Sequence, residues 1–211
     1  MKKYVGLLLV ALWLAVPMLA QTKVDAQQQK AITEKIGKST SGLKDMQCDF
    51  EQVKRMKMMR KDMVSKGLMY YKTPNQLRWE YTTPYNYVFL LNKGEVNIKS
   101  SKSSKKVDVK ENKIFQQVTK IILGCITGDG LRSEIDFRVE IYQSGSGYSA
   151  KLYPKKKELK QIYQHIEIFF NASLTMVSQV RMVEKTGDET LVKLLNVKTN
   201  TGVNEKVFSA L

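Results

Sequence analysis

Few side chains in this sequence can move a proton, attack a carbonyl or hold a metal. His165 is the only imidazole in the 211 residues, and Cys48 and Cys125 are the only thiols. Zinc sites and acid–base machinery need several such groups converging on one point. His165 alternates with Ile166 and Ile168, so on a strand it shares the opposite face with Tyr163 and Glu167, a position for pairing rather than catalysis. No glycine-rich phosphate loop leads from a strand into a helix, and no serine elbow or Cys–His constellation is present. Acidic pairs such as Asp188 and Glu189 fall in turns, where solvation accounts for them. A glycosidase needs two carboxylates converging in a cleft, which only a tertiary arrangement provides. The sequence reads as a protein that is not an enzyme, with no metal and no cofactor.

Charge is the next outlier. Lys+Arg number 35 against 20 Asp+Glu, a formal net charge of +15. Such a balance suits nucleic acid, an anionic membrane surface or an acidic partner. Of the 35 cations 29 are lysine and six arginine, whereas base readout favours the arginine fork. Lysine runs such as Lys155-Lys156-Lys157 fall in expected turns, without interleaved aromatics. Nucleic acid is therefore not an expected partner. Solvated hairpin tips explain the lysines, with attraction to anionic membranes or an acidic partner as the second reading.

The chain starts with Lys2 and Lys3, runs apolar from Tyr4 to Ala20, and carries Pro17 near the end of that run. This is the pattern of a secretory signal peptide over residues 1–20, cut near Ala20-Gln21. The first cysteine after it is Cys48, too far along to be a lipid-attachment site. Residues 21–211 are expected as a single soluble domain. In an oxidising compartment Cys48 and Cys125 can pair, yet both sit among apolar neighbours, where a buried thiol acts as a small hydrophobe. Both states stay open, with free buried thiols favoured.

Hydrophobic residues at 43% and charged residues at 26% are ordinary globular values, which excludes both disorder and a polytopic membrane protein. Ala31, Ile32 and Ile36 mark a helix over 26–40. From Met46 the period becomes two. Met46, Cys48 and Phe50 alternate with polar residues, then Val64–Tyr71, Leu77–Thr82, Tyr85–Leu91 and Glu95–Lys99 read as further strands. The Ser/Lys run from Ser100 to Lys106 is expected as a mobile loop. Ile114, Phe115, Val118, Ile121, Ile122, Cys125 and Ile126 then make one broad apolar helix face, ended by Gly128 and Gly130. Phe137–Gln143 and Tyr148–Tyr153 flank a Ser144–Gly147 hairpin turn. A strand from Ile162 to Phe170 and the pair Leu174–Val183 and Leu191–Val197 follow, with a short segment ending at Phe208. Roughly ten strands, an N-terminal helix and an inserted amphipathic helix predict one mainly β domain, an antiparallel barrel that does not close.

The stretch from Met46 to Leu91 is rich in apolar residues of two kinds. It holds six methionines, Trp79 and the tyrosines Tyr70, Tyr71, Tyr81, Tyr85 and Tyr87. Methionine adapts to irregular apolar shapes, and aromatics add area at little entropic cost. Two arrangements fit: the helix plugs the barrel and these residues are core, or they line a hollow that holds fatty chains.

Phe50-Glu51-Gln52, Gly67-Leu68-Met69-Tyr70, Pro74-Asn75-Gln76-Leu77-Arg78-Trp79-Glu80-Tyr81 and Pro84 resemble the signature of the periplasmic lipoprotein carriers of the LolA family. The resemblance implies an unclosed antiparallel β-barrel with a helical lid over an apolar cavity. It implies a periplasmic carrier of lipoprotein acyl chains from an inner-membrane ABC-type lipoprotein-releasing transporter to an outer-membrane acceptor, LolB-like or the membrane directly. A monomer is expected. Carried over by position, Met46, Cys48, Phe50, Met69, Tyr71, Leu77, Trp79 and Tyr81 would line the cavity. Ile114, Phe115, Val118, Ile121, Ile122 and Ile126 would form the lid. Thr73 stands where the family usually has an arginine that bonds the lid shut. Rival functions on the same fold are binding of another acylated lipid or pigment precursor, and lipid sensing by a regulatory module.

Overall fold

The computed structural model describes residues 21–92, 94–100, 103–108, 113–131 and 135–209, with backbone alone at 105–108, 113–118 and 129. The expected signal peptide and the side chains of Ile114, Phe115 and Val118 lie outside the described residues.

In chain order the elements are β1 (Thr22–Lys23), α1 (Ala26–Thr40), β2 (Asp45–Arg55), β3 (Met63–Lys72), β4 (Gln76–Thr83), β5 (Tyr87–Asn92), β6 (Glu95–Ser100) and β7 (Ser104–Asp108). They continue with α2 (Lys113–Thr127), β8 (Phe137–Ser144), β9 (Gly147–Pro154), α3 (Lys157–Ile162), β10 (Tyr163–Phe170), β11 (Val177–Glu184) and β12 (Glu189–Thr199). Short 3-10 turns occupy Asp129–Leu131 and Glu205–Phe208. The strands form one antiparallel sheet in the order β1-β8-β9-β10-β11-β12-β2-β3-β4-β5-β6-β7. Strands β1 and β7 are its edges, so it curls without closing. The pairing of β12 with β2, from Glu189 opposite Arg55 to Thr199 opposite Met46, joins the halves.

Alternation places Met46, Cys48 and Phe50 of β2 on the inner face, opposite Tyr71, Met69 and Gly67 of β3; Leu77, Trp79 and Tyr81 follow opposite these on β4. Gly67 is obligatory. A Cβ there would stand 1.9 Å from the Glu80 carbonyl oxygen and 2.8 Å from the Phe50 ring, at a bulge in the β3–β4 ladder. The first half-sheet thus turns inward with the Phe50 ring lying over a residue that has no side chain.

Helix α1 lies on the second half-sheet. Asp25 caps it, its carboxylate accepting from Gln28 N–H at 2.8 Å. Ile32 and Ile36 enter the core of Ile141, Ala150, Leu152, Ile166 and Ile168, while the Gln29 amide donates to the Val139 carbonyl and accepts from Ile141 N–H. Helix α2 spans the two cores. Ile121 and Cys125 join the core under α1, and Ile122, Leu123 and Ile126 join that of Met46, Phe50, Met69 and Leu77. Gly128, in the left-handed region at φ +73°, ends α2 against Ile36 and Thr40. The outer face of β4 and β5 is covered by Val203 and Phe208 against Leu90.

Four expectations change. The Ser100–Lys106 run is not a free loop: Ser104–Asp108 is the edge strand β7, whose backbone bonds to β6 suit a polar sequence with little to bury. The segment after Lys155-Lys156 coils into α3, which buries Leu159 and takes up Ile162, so the next strand starts at Tyr163. There are 12 strands among the described residues, the extra ones being the short β1 and β7. Strand β5 also starts two residues later than the tyrosine pattern suggests, because Pro84 and Tyr85 form the turn before it.

Candidate functional site

Between α2 and the inner face of the sheet lies a cavity of ≈ 290 Å³. Met46, Met69 and Trp79 form one wall and Met176, Val177, Val180 and Met182, with Val192 and Leu194, the other. Ile121, Ile122, Cys125 and Ile126 of α2 roof it, and Thr40 and Leu43 at the end of α1 close one side. Four methionine thioethers and branched aliphatic groups give it an apolar, deformable surface. Ser39, Thr40, Thr175, Thr199 and Asn200 supply polar groups at its border, and Trp79 adds an indole to the wall. Its Nε1 is buried without a hydrogen-bond partner of good geometry.

A larger and more open space of ≈ 660 Å³ lies against the other flank of α2. Tyr71, Leu91, Phe137 and Leu152 supply its apolar lining, and Thr40, Leu43, Ile121 and Cys125 border both spaces. Asp136, almost fully buried beside this space, forms ion pairs with Lys156 at 2.7 Å and with Lys120 on α2. The Thr119 hydroxyl, also buried there, has no partner. The roof helix is thus held by isoleucine packing and by one lysine reaching a carboxylate on the chain leading into β8.

Of the eight residues assigned to a cavity by position, Met46, Met69 and Trp79 border the smaller space and Tyr71 borders the larger one. Cys48, Phe50 and Leu77 are buried in the layer around them. Tyr81 is half-buried nearer the rim, its hydroxyl donating to Gln52 Oε1 at 3.0 Å. Burial, with Tyr85 nearby, pushes that phenol up to about 12. Ile121, Ile122 and Ile126 form the roof as the helical periodicity requires. Thr73 is exposed at the edge of the open space, and both its N–H and its hydroxyl donate to the Lys44 carbonyl, at 2.9 and 2.7 Å.

The sequence reading left out the β11–β12 wall and the Lys120–Asp136–Lys156 cluster. Val180, Met182, Val192 and Leu194 carry the same period-two signal as the first half-sheet, and that signal was available. The ion cluster leaves no local mark.

Both cysteines are free and buried, and burial pushes each thiol up to about 12, with Asp49 adding to the effect at Cys48. His165 is partly buried against the Tyr153 ring at 5.8 Å, and burial lowers its pKa, so it is neutral near neutral pH. Among the described residues no group of three or more His, Cys, Asp or Glu is placed to hold a metal, and no helix is long and apolar enough to cross a membrane. What the site can do is exclude water from an apolar ligand.

A sheet that curls without closing, roofed by an apolar helix over a methionine-lined cavity, is matched in sequence as well. Residues 41–210 match the model of the family described as outer membrane lipoprotein carrier protein LolA. The chain belongs to the LolA family. Among solved structures it is similar to the Pseudomonas aeruginosa MucA/MucB complex, at TM-score 0.52 and 8% identity over 87% of this chain and 61% of that one. It is similar too to a LolA superfamily protein from Nitrosomonas europaea, at TM-score 0.46 and 9% identity over 86% and 97% of the two chains. No curated protein sequence matches it. At such identities the structural likeness concerns the LolA fold and not its cargo.

Proposed function

We propose that this protein is a periplasmic carrier that takes the acyl chains of lipoproteins into the cavity under α2 and moves them from the inner to the outer membrane. The observation that carries this reading is the methionine- and aromatic-lined hollow between sheet and helix. A filled plug would leave no such space, and native cores rarely contain voids of this size. Each buried methylene of an acyl chain contributes about 0.8 kcal/mol, so a lipoprotein's anchor does not cross water unshielded. The space under α2 is at the small end of ligand pockets, roughly 300–1,000 Å³. Loading therefore requires α2 to shift. The two spaces share Thr40, Leu43, Ile121 and Cys125 as borders, and a displacement of the helix joins them. Ligand competes with the roof's own isoleucines for the sheet, which weakens net affinity and makes unloading feasible.

In this reading residues 1–20 are a signal peptide removed near Ala20-Gln21, and residues 21–211 are one soluble, monomeric domain. An inner-membrane ABC-type lipoprotein-releasing transporter supplies the cargo and a LolB-like acceptor, or the membrane itself, receives it. No nucleotide, metal or covalent step takes place on the carrier. With a threonine at position 73, the lid depends on the Lys120–Asp136 pair for its polar tether. Mass spectrometry of the protein purified from its native envelope tests the cargo: a copurifying lipoprotein is the expected result, and a free lipid or pigment precursor overturns this version of it. In parallel, Val180→Trp, which fills the cavity, is expected to lower the affinity for a fluorescent fatty acid at least tenfold. Unchanged probe binding by a folded Val180→Trp variant removes the cavity from the account.

A further inference from the structure

Five of the eight exposed large apolar side chains of the described residues gather at one end of the sheet. The β2–β3 hairpin runs past β4 on one side, since Lys66 of β3 already faces the last residue of β4, Thr83, while the ladder continues to Lys54 opposite Met63. At its tip Met58 is 98% exposed and Met59 51%, with Met63 and Val64 exposed on the stem and Tyr85 on the adjoining β4–β5 turn. The tip has a defined shape. Met59 N–H donates to the Met56 carbonyl at 2.9 Å, and Lys57 N–H donates to Asp188 Oδ1 at 3.1 Å.

The cations of this hairpin divide into two sets. Lys54, Arg55 and Lys66 on the stem pair with Glu184, Asp62 and Glu51. The side chains of Lys57, Arg60 and Lys61 beside the methionines form no ion pair with the described residues, and all three residues are exposed. An apolar apex ringed by unpaired cations is a convex surface, which fills no pocket of its own chain. It matches the boundary of an anionic bilayer, where apolar groups enter below the headgroups and cations stay among the phosphates.

The same end of the sheet is linked to the cavity by rings. Trp79, in the cavity wall, lies 4.6 Å from Phe50; Phe50 is 5.1 Å from Tyr81; and Tyr81 is 6.1 Å from Tyr85 at the rim.

We propose that the Met56–Asp62 tip docks this protein onto an anionic lipid bilayer, Met58 and Met59 entering the interface and Lys57, Arg60 and Lys61 binding anionic headgroups. The aromatic row then opens toward the membrane, and that last part alone rests on the carrier reading. The test uses residues 21–211 in full, sedimented at low salt with vesicles of phosphatidylglycerol and phosphatidylethanolamine, or of phosphatidylcholine alone. Wild type is expected to sediment with the anionic vesicles and to be released by salt. Met58→Asp with Met59→Asp, and separately Lys57→Glu with Arg60→Glu, should weaken binding about tenfold or more. These positions are exposed, so unfolding curves and fatty-probe affinity should stay as in wild type. Met58→Trp should shift its emission to the blue on anionic vesicles only. Wild type remaining in the supernatant overturns the proposal, as does sedimentation of the methionine variant equal to wild type. Loss of fatty-probe binding by wild type overturns the carrier reading and leaves the docking result to stand by itself.

Discussion

The half-sheet beneath α1 and the half-sheet facing α2 share one antiparallel ladder and are packed in different ways. Under α1, Ile141, Ala150, Leu152, Ile166 and Ile168 are almost completely buried, and Ile32 and Ile36 fill the space above them. Facing α2, the corresponding layer holds Met46, Met69 and Trp79, and a cavity remains. Branched side chains in few rotamers make a core that fixes one shape. Long thioethers and flat rings make a wall that retains its contacts while its shape changes. The contrast sets a core that fixes one shape beside a wall that can yield, within one sheet.

Three measurements break or sharpen that contrast, the first by removing the turn inward of the receiving half. Gly67→Ala sets a Cβ against the Glu80 carbonyl, a backbone atom that has nowhere to go. The expected loss is about 3 kcal/mol or more in urea unfolding, and a loss under about 1 kcal/mol would mean the bulge can relax. A paired truncation comes next. Ile166→Ala in the filled half should cost about 3 kcal/mol, whereas Met46→Ala on β2, whose side chain already borders open space, should cost less, about 2. Equal losses would mean both halves are packed alike.

The smallest effect is on pH dependence. Glu167 is fully buried on the other face of β10, accepting from Ser149 at 3.0 Å, from Gln21 at 3.0 Å and from Arg181. Burial pushes its carboxyl up, but the Gln21 and Arg181 bonds outweigh that and hold it below the ordinary carboxylate value. A depressed pKa contributes stability that is complete above the unfolded value, near 4.5, and is lost as pH falls through the folded one. Unfolding curves from pH 7 downward should therefore steepen below about pH 4.5 in wild type and flatten there in Glu167→Gln. An unchanged acid limb would assign the acid sensitivity to other carboxylates, such as Glu140, which the hydrogen bond from Lys23 helps to hold at about 2.

The alternation of Met46, Cys48 and Phe50 and of Met69, Tyr71, Leu77 and Trp79 made the inner face of the first half-sheet legible, because a period of two survives whatever packs on it. The period of Ile121, Ile122 and Ile126 did the same for the roof. Periodicity says which face is inward and not whether protein or empty space lies opposite. For that reason Cys48 and Leu77 read the same as Met69 in sequence, although only Met69 borders the cavity. The β11–β12 wall went unassigned because nothing local says that Val180 and Met182 meet Met46 across the hollow. Strand β7 was hidden because an edge strand takes its order from its neighbour's backbone and needs no apolar side chains.

The edges at β1 and β7 carry a mechanical consequence. A closed barrel has a circumference fixed by its ladder, and widening it means breaking a row of hydrogen bonds. Here the two rims are not bonded to each other, so the sheet can uncurl like a cuff, every strand keeping its neighbours. A bulkier passenger would then be met by a change in curvature alone.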